Sequence, residues 1–452
     1  MTKKLFNEFP DVSAKAWKQK IQADLKGADY NDTLIWNTND GIDVKPFYHT
    51  ETFESLNNNT TIDSWNICQT IFVDNVAISN KLAINALSRG AESIKFIIPV
   101  KTISIKDLLG SVNAKSLYFE CLFLDTDFNK SLQSFSSKQT TYICTDIIGN
   151  LARTGNWYNN FKDDHFQFTN SVSATSQFSI DSSLYQNAGA NTIQQLAYSL
   201  AHCNEYLNHL HAEQLLTSNR SLIITFNVAI GSNFFFEIAK LRALRALVST
   251  LANEYSIEIQ TNIFTTPTKR NKTIYDYNTN MLRSTTECMS AILGNSNTIC
   301  NLPYDAIYHK NNEFGDRISR NQLLILKHES YFNLVNNPSD GTYYIETLTK
   351  QLAEKALEIF KDIEAHGGFL SQLKEGIIQR KIKESAKKEQ EQFNSGELVL
   401  VGSNKHPNSE DRMKDNLELY PFVKTNPRKT LIQPIIERRL AETLEQNRLK
   451  KE

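Results

Sequence analysis

Three side chains at helical spacing could form a metal site. His202, Glu205 and His209 follow one another at intervals of three and four residues, which places them on one face of a helix. Imidazole nitrogens and carboxylate oxygens are ligands that Zn²⁺ accepts, but such a site would still need ligands from another element. A long solvated helix produces the same spacing without a metal. We therefore predict surface or capping roles for these residues and no metal site.

Two aspartates at the ends of predicted strands could do acid/base chemistry. Asp146 and Asp181 each follow a short run rich in apolar residues. Carboxylates at strand ends of a barrel often face an active site, where a pair of them can exchange protons with a substrate. Aspartates that anchor loops are more common at such positions, so a structural role is the favoured interpretation.

Phosphate-binding motifs are missing from the sequence. Neither Gly-x-Gly-x-x-Gly nor Gly-x4-Gly-Lys occurs, and the pair Gly367 and Gly368 is explained by the end of a helix. A basic cluster at residues 380–383 could contact phosphates, but the glutamates interleaved with it indicate a solvated helix face.

The bulk composition excludes several classes of partner. Of the 452 residues, 49 are Lys or Arg and 50 are Asp or Glu, so the formal net charge is −1. A nearly neutral chain is not held to nucleic acid or to an anionic membrane by bulk electrostatics. Residues 1–8 lack the apolar run of a signal peptide, and the six cysteines form no Cys-x-x-Cys pair. We expect a cytoplasmic protein that binds neither nucleic acid nor membrane.

Short apolar segments alternate with longer helical ones from about residue 68. Seven strands are predicted at 69–73, 94–98, 117–124, 142–147, 221–226, 257–264 and 297–301, with one or two more within 166–180. Strands that are mostly followed by helices predict an α/β fold with a parallel sheet closed into a (β/α)8 TIM barrel. An open doubly wound sheet is the alternative, because spacing does not give strand order.

Two arms flank the predicted barrel. We place an N-terminal arm at residues 1–65, the barrel at 66–406, and a C-terminal linker arm at 407–452 that ends in a helix over 432–450. Both arms carry aromatic residues, including Trp17, Trp36 and Tyr420, which would expose too much apolar area if the arms were free. We predict that the arms pack against the barrel or clasp a partner.

Four sequence segments in the second half of the chain indicate a family. They are Gly-Ser-Asn-Phe-Phe-Phe-Glu-Ile-Ala-Lys-Leu-Arg-Ala at 231–243, Asn-Thr-Asn-Met-Leu-Arg-Ser-Thr-Thr-Glu at 278–287, Phe-Gly-Asp-Arg-Ile-Ser-Arg-Asn at 314–321 and Ser-Gly-Glu-Leu-Val-Leu-Val-Gly-Ser-Asn at 395–404. In this order they resemble the methylmalonyl-CoA mutase family. The pattern at residues 17–44 resembles the small subunit of that family in particular.

The resemblance implies an adenosylcobalamin-dependent isomerase that interconverts (R)-methylmalonyl-CoA and succinyl-CoA. In the family a barrel holds the acyl-CoA, and a C-terminal flavodoxin-like domain holds cobalamin through a histidine in an Asp-x-His-x-x-Gly loop. A catalytic large subunit pairs with a related small one. No Asp-x-His-x-x-Gly occurs in this sequence, so we expect the cobalamin domain to be lacking and the partner to hold the cofactor.

The resemblance also assigns the catalytic positions. The family's Gly-Tyr-His-Met-Gln-Glu-Ala-Gly-Ala corresponds to residues 182–190, so that the histidine position is Leu184 and a tyrosine position is Ser183. A second family tyrosine corresponds to Ser104. Leucine can neither donate a hydrogen bond nor change protonation, so it cannot polarise a thioester carbonyl. Arg153 and Asp305 are weak vestigial candidates for contacts with substrate and cofactor.

The predicted strands also indicate a filled barrel. Side chains of a strand alternate between its two faces, and in residues 117–124 both alternating sets contain bulky side chains. Whichever set faces inward, it would fill the barrel, whereas a channel for an acyl-CoA needs small side chains. The sequence therefore predicts a small subunit that is not itself catalytic and stabilises a large mutase subunit in a heterodimer. Two alternatives stay open. One is an acyl-CoA mutase barrel that works with a separate B12-binding polypeptide, and the other is a barrel repurposed for another small molecule.

Overall fold

The arms and the barrel are all represented in the computed structural model, which describes residues 8–53, 64–136, 139–217, 221–424 and 427–452. The expectation about a signal peptide depends mainly on residues 1–7, which lie outside the described residues. The N-terminal arm contains α1 (Ala14–Asp24), α2 (Tyr30–Leu34), the short antiparallel strands β1 (Trp36–Asn37) and β2 (Asp43–Val44), and a 3₁₀ turn (Thr50–Thr52).

Eight parallel strands of the described residues form the centre of the molecule. They are β3 (Asn66–Phe72), β4 (Ser93–Ile98), β5 (Ser116–Cys121), β6 (Thr140–Ile143), β7 (Gln177–Asp181), β8 (Ser221–Ile230), β9 (Glu258–Pro267) and β10 (Thr298–Ile299). Their order is β6-β5-β4-β3-β10-β9-β8-β7. The backbone N–H of Ser179 on β7 donates to the carbonyl of Thr145 just after β6 at 3.3 Å, which joins the two end strands. The fold is therefore the predicted (β/α)8 barrel and not an open sheet.

Helices surround the strands. They are α3 (Val76–Ser88), α4 (Ile105–Leu108), α5 (Thr126–Phe135), α6 (Ile147–Thr154), α7 (Phe161–Thr175), α8 (Ser183–Asn187), α9 (Thr192–Ala212), α10 (Phe234–Glu254), α11 (Thr279–Leu293), α12 (Glu313–Leu324) with a π-helical turn (Ile325–Glu329), α13 (Tyr343–Ala365), α14 (Phe369–Lys374) and α15 (Ile377–Ser395). Each strand turns one face to these helices and the other to the lumen. On β4, for example, Ile94, Phe96 and Ile98 belong to the apolar layer under the helices, while Lys95 faces inward.

Of the one or two strands predicted within residues 166–180, the structure has one, which is β7. Of residues 166–180, only the last few form a strand, and the preceding part belongs to helix α7. The side chain of Asn160 accepts from the backbone N–H of Asp163 and starts this helix. The alternating Phe166 and Phe168 imitate a strand, but Phe168 is buried and Phe166 is exposed on the helix.

The hairpin of the N-terminal arm packs on its own barrel. Asp40, in its turn, accepts from the backbone N–H of Ile193 in the first turn of α9 at 3.3 Å. The neighbouring Asn39 donates to Gln392 on α15 at 2.6 Å, and the ring of Trp36 packs edge-on against Phe236. This part of the arm is therefore a fixed part of the chain's own structure.

The C-terminal arm crosses the carboxyl end of the barrel in extended form. The predicted helix over 432–450 is shorter and comprises only α16 (Glu442–Leu449). Pro434 lacks the backbone N–H that a helix needs. Residues before α16 donate backbone N–H groups to the barrel instead, from Ile435 to Ala152 and from Leu440 to Arg270.

Candidate functional site

A cavity of about 530 Å³ opens at the carboxyl ends of the strands, and we call it the mouth cavity. It lies between the strand ends, the first turns of α6 and α8, the loop after β10 and the C-terminal arm. Active sites of (β/α)8 barrels lie at this end, because the loops that follow the strands converge there. The size is within the range of small-molecule pockets.

An ion pair stands inside the lumen. Nζ of Lys95 lies 2.6 Å from a carboxylate oxygen of Glu120 on the neighbouring strand. Although burial alone would lower it, the carboxylate of Glu120 raises the pKa of Lys95, so that the ammonium stays charged. Glu120 belongs to the inward-facing set of residues 117–124, together with the bulky Tyr118. The sequence predicts the bulky side chains of this set but not the charge, which pairs with a residue of the neighbouring strand.

Aromatic rings close the lumen beneath the cavity. The rings of Tyr118 and Tyr142 stack with centroids 4.6 Å apart, and Tyr118 also packs on Phe264 at 4.7 Å. Phe264 lines the cavity, and the two tyrosines are buried behind it. The hydroxyl of Tyr118 donates to Thr298 across the lumen at 2.8 Å. The predicted filling is thus present at this level, while the mouth above it is open and polar.

Helix α8 presents serine to the cavity and leucine to the core. Ser183 lines the mouth cavity, and its hydroxyl donates to Asp181 at 2.5 Å. Leu184 is only 1% exposed and packs in the main hydrophobic core. The position that the resemblance assigns to a histidine is therefore an apolar side chain that is packed away from the cavity.

Arg153 is already neutralised. Its guanidinium donates to Asp181, and its second branch donates to Glu437 of the C-terminal arm at 3.0 Å. Burial opposes its charge, but these two carboxylates outweigh burial and raise the pKa of Arg153 above its ordinary value. The arginine joins the C-terminal arm to the end of β7. Glu437 was not anticipated from the sequence, because it lies 284 residues away from its partner.

The other assigned positions lie elsewhere. Asp305 accepts from Asn312 at 2.8 Å and contacts His309, within the loop between β10 and α12. Ser104 is the N-terminal cap of α4, where its hydroxyl accepts from the backbone N–H of Asp107 at 3.3 Å. Neither residue lines the mouth cavity.

His202, a metal-ligand candidate, and Asp146, an acid/base candidate, lie in one buried hydrogen-bond network. Nε2 of His202 lies 3.0 Å from Oδ1 of Asp146, and its Nδ1 lies 2.9 Å from the hydroxyl of Tyr185. Asp146 also accepts from the hydroxyl of Tyr206 and from the backbone N–H of Asp181. Despite burial, which would raise it, these partners lower the pKa of Asp146. The carboxylate is a buried anchor that has no free oxygen for a substrate.

The three residues considered for a metal are separated by their contacts. Glu205 accepts from the backbone N–H of Leu370 at 2.9 Å, and His209 lies 2.7 Å from the hydroxyl of Thr169. Within the described residues, no cluster of three His, Cys, Asp or Glu side chains is arranged to hold a metal ion.

The two remaining motifs have structural explanations. Gly367 and Gly368 follow α13 with φ of +94° and +84°, as expected where a helix ends. On α15, Lys381 pairs with Glu384 at 3.1 Å on the solvent side.

Among the residues whose structure is described, no helix is both long and apolar enough to cross a bilayer.

Comparison with known proteins places these observations in context. The sequence profile of the family described as "Methylmalonyl-CoA mutase" matches residues 111–449. The methylmalonyl-CoA mutase small subunit of Porphyromonas gingivalis is 32% identical over 92% of this chain and 73% of its own length. The small subunit of Streptomyces virginiae is 25% identical over 82% of this chain and 66% of its own length. The methylmalonyl-CoA mutase of Rhizobium meliloti is 35% identical, but the match covers 52% of this chain and 33% of that protein.

Proposed function

The chain belongs to the methylmalonyl-CoA mutase family, and on this basis we propose that it is the non-catalytic subunit of a heterodimer. In this proposal the large mutase subunit carries the acyl-CoA and the adenosylcobalamin, and the complex isomerises (R)-methylmalonyl-CoA to succinyl-CoA. This chain contributes assembly and stability, because binding to the folded partner stabilises that partner by mass action.

One observation carries the proposal. The resemblance assigns the family's histidine position to Leu184, whose side chain is packed in the core. Its neighbour Ser183 reaches the cavity, but its hydroxyl is held by Asp181. No imidazole stands among the described residues that line the mouth cavity. The residues present therefore do not fit the role that the resemblance gives to the barrel beside a corrin.

The lumen supports the same conclusion. A pantetheine arm that enters the barrel would have to displace the stacked rings of Tyr118 and Tyr142, which fill the lumen beneath the cavity. Arg153, the candidate for a substrate carboxylate, is occupied by two carboxylates of the chain itself. Any anionic substrate would have to break these ion pairs before it could bind.

Exposed aromatic residues support an interface with a partner. Trp17 is 47% exposed on α1, which has no buried residue, and Phe9 and Trp36 are similarly exposed in the same arm. Large aromatic side chains are enriched at protein interfaces and carry much of the binding energy there. We propose that the arms at residues 1–65 and 407–452 contact the large subunit, in addition to their contacts with the barrel.

Co-expression with a mutase large subunit from the same genome tests the proposal. We expect an approximately 1:1 complex with bound corrin and mutase activity, and no activity from this chain alone. Activity and corrin absorbance obtained by adding only a separate B12-binding polypeptide would support the first alternative instead. A stable monomer or homodimer that does not bind the large subunit would contradict the heterodimer and support a repurposed barrel.

A further inference from the structure

We propose that the mouth cavity binds a small organic cation, an amine with further hydrogen-bond donors, and not an acyl thioester or a carboxylate. This proposal goes beyond the heterodimer and does not depend on it, because it concerns only side chains of this chain.

Carboxylates outnumber cations around the cavity. Five of the described lining residues are acidic, namely Glu120, Asp146, Asp181, Asp316 and Glu437. Three are basic, and two of these, Lys95 and Arg153, already have carboxylate partners. The third, Lys269, is exposed. The interior of the cavity therefore favours a positive ligand over a negative one.

In the ion pair between Lys95 and Glu120, the carboxylate is more exposed to the cavity than the ammonium. The side chain of Glu120 is 37% exposed, whereas that of Lys95 is 12% exposed. A molecule in the cavity can thus reach the carboxylate more readily than the ammonium. An incoming carboxylate would meet Glu120 first and be repelled, while an amine could share the carboxylate with Lys95.

Buried acceptors without partners provide an independent observation. Asn301 is 5% exposed and lines the cavity, and its Nδ2 donates to Ser319 and to Gln322. Because these two bonds orient the amide, Oδ1 is the atom left over, and it has no hydrogen-bond partner in the described structure. An amide oxygen can only accept, so a ligand that satisfies it must donate.

Further buried atoms of residues around the cavity also lack hydrogen-bond partners in the described part of the chain. Ser179 is 1% exposed, and its Oγ has no partner among the described residues. The same holds for Oδ1 of Asn227 and Oδ1 of Asp316, both on residues that line the cavity. A buried polar atom that is left unsatisfied costs about 1–3 kcal/mol. A ligand that reaches Oδ1 of Asn227 or Oδ1 of Asp316 must donate to it, whereas Oγ of Ser179 can either accept or donate.

Calorimetric titration of the full-length chain tests the proposal. The probes are 1,4-diaminobutane and ethanolamine, with succinate as the anionic comparison at the same ionic strength. We expect at least one amine to bind and succinate not to bind. Absence of binding by either amine at millimolar concentration, or tighter binding of succinate, would overturn the proposal.

Two variants locate the site. Asp316→Asn removes a charge that forms no ion pair within 4 Å in the described structure, and we expect it to weaken amine binding about tenfold or more. Ser179→Ala removes a hydroxyl that has no bond to lose, so it should fold normally and bind several times more weakly. The matched control is Asp362→Asn, an exposed aspartate on α13, which should leave amine binding unchanged. Equal affinities in all three variants would place any binding outside the mouth cavity and contradict the proposal.

Discussion

Nε2 of His202 lies 3.0 Å from Oδ1 of Asp146, inside the protein and behind the end of strand β6. The sequence raised these residues as candidates for two different sites, a metal site for the histidine and an acid/base pair for the aspartate. The structure joins them in one buried network that includes Tyr185 and Tyr206. The network fixes the loops after β6 and β7, because Asp146 also accepts from the backbone N–H groups of Gly149 and Asp181.

We expect Asp146→Ala to destabilise the fold by about 3–5 kcal/mol, because it leaves the buried imidazole and two backbone N–H groups without their acceptor. The free energy of unfolding in urea measures the effect. Asp127→Ala serves as the control, since that aspartate is almost fully exposed and its loss should cost less than about 1 kcal/mol. Similar losses in the two variants would show that the network does not anchor the loops.

Leu184→His should not create a catalytic residue. The side chain at this position faces the core, so an imidazole would be buried among apolar groups without a partner. We expect a loss of about 2–4 kcal/mol in stability and no mutase activity. Leu184→Met, which nearly conserves volume, should cost less than about 1.5 kcal/mol. Measurable isomerase activity in the histidine variant, alone or with corrin, would contradict the placement of this side chain.

The barrel and the family could be predicted because they depend on local signals. Runs of apolar residues separated by amphipathic helices give the alternation that a (β/α)8 barrel requires. The segments at 231–243 and 395–404 identify relatives directly. The assignment of the family's histidine position to Leu184 rests on the same resemblance, which is anchored by residues 186–190, and it stays a prediction.

The chemistry of the mouth could not be predicted, because it depends on contacts between distant parts of the chain. Lys95 and Glu120 each appear as an interruption in an apolar strand, and only the register of β4 with β5 brings them together. Glu437 reaches Arg153 from a segment in which Pro434 prevents the helix that the surrounding residues favour. In α7, the alternate spacing of Phe166 and Phe168 is also typical of a strand, and the local pattern alone does not distinguish a strand from a helix there.

Stability should depend on pH through Glu364, at the end of α13. Burial, reinforced by the nearby carboxylate of Glu205, raises the pKa of Glu364 to about 7 from an ordinary value of 4.5. Between these values the unfolded chain releases a proton that the native state retains, so the contribution of this group to stability falls as pH rises. Below about 4.5 both states are protonated and the penalty disappears.

We therefore expect Glu364→Gln to stabilise the protein at pH 8 and to have little or no stabilising effect at pH 4.5. Urea midpoints at the two pH values measure this difference. Glu358→Gln, an exposed position on the same helix, should leave the midpoints nearly unchanged at both. A stabilisation by Glu364→Gln that is independent of pH would exclude titration of this carboxyl as the cause.

The arm should contribute to binding of the large subunit through Trp17. This residue is half exposed on α1, a helix that has no buried residue, and its ring packs edge-on against that of Phe47 in the same arm with ring centroids 6.4 Å apart. Truncation therefore removes little from the fold, whereas an aromatic residue buried at an interface often contributes 2 kcal/mol or more, roughly thirtyfold in affinity. We expect Trp17→Ala to weaken the heterodimer at least about tenfold with little change in the melting temperature of the isolated chain. Leu282→Ala, an exposed apolar residue on barrel helix α11, is the control. If titration of the large subunit gives the same affinity for wild type and Trp17→Ala, this residue of the arm does not contribute to the interface.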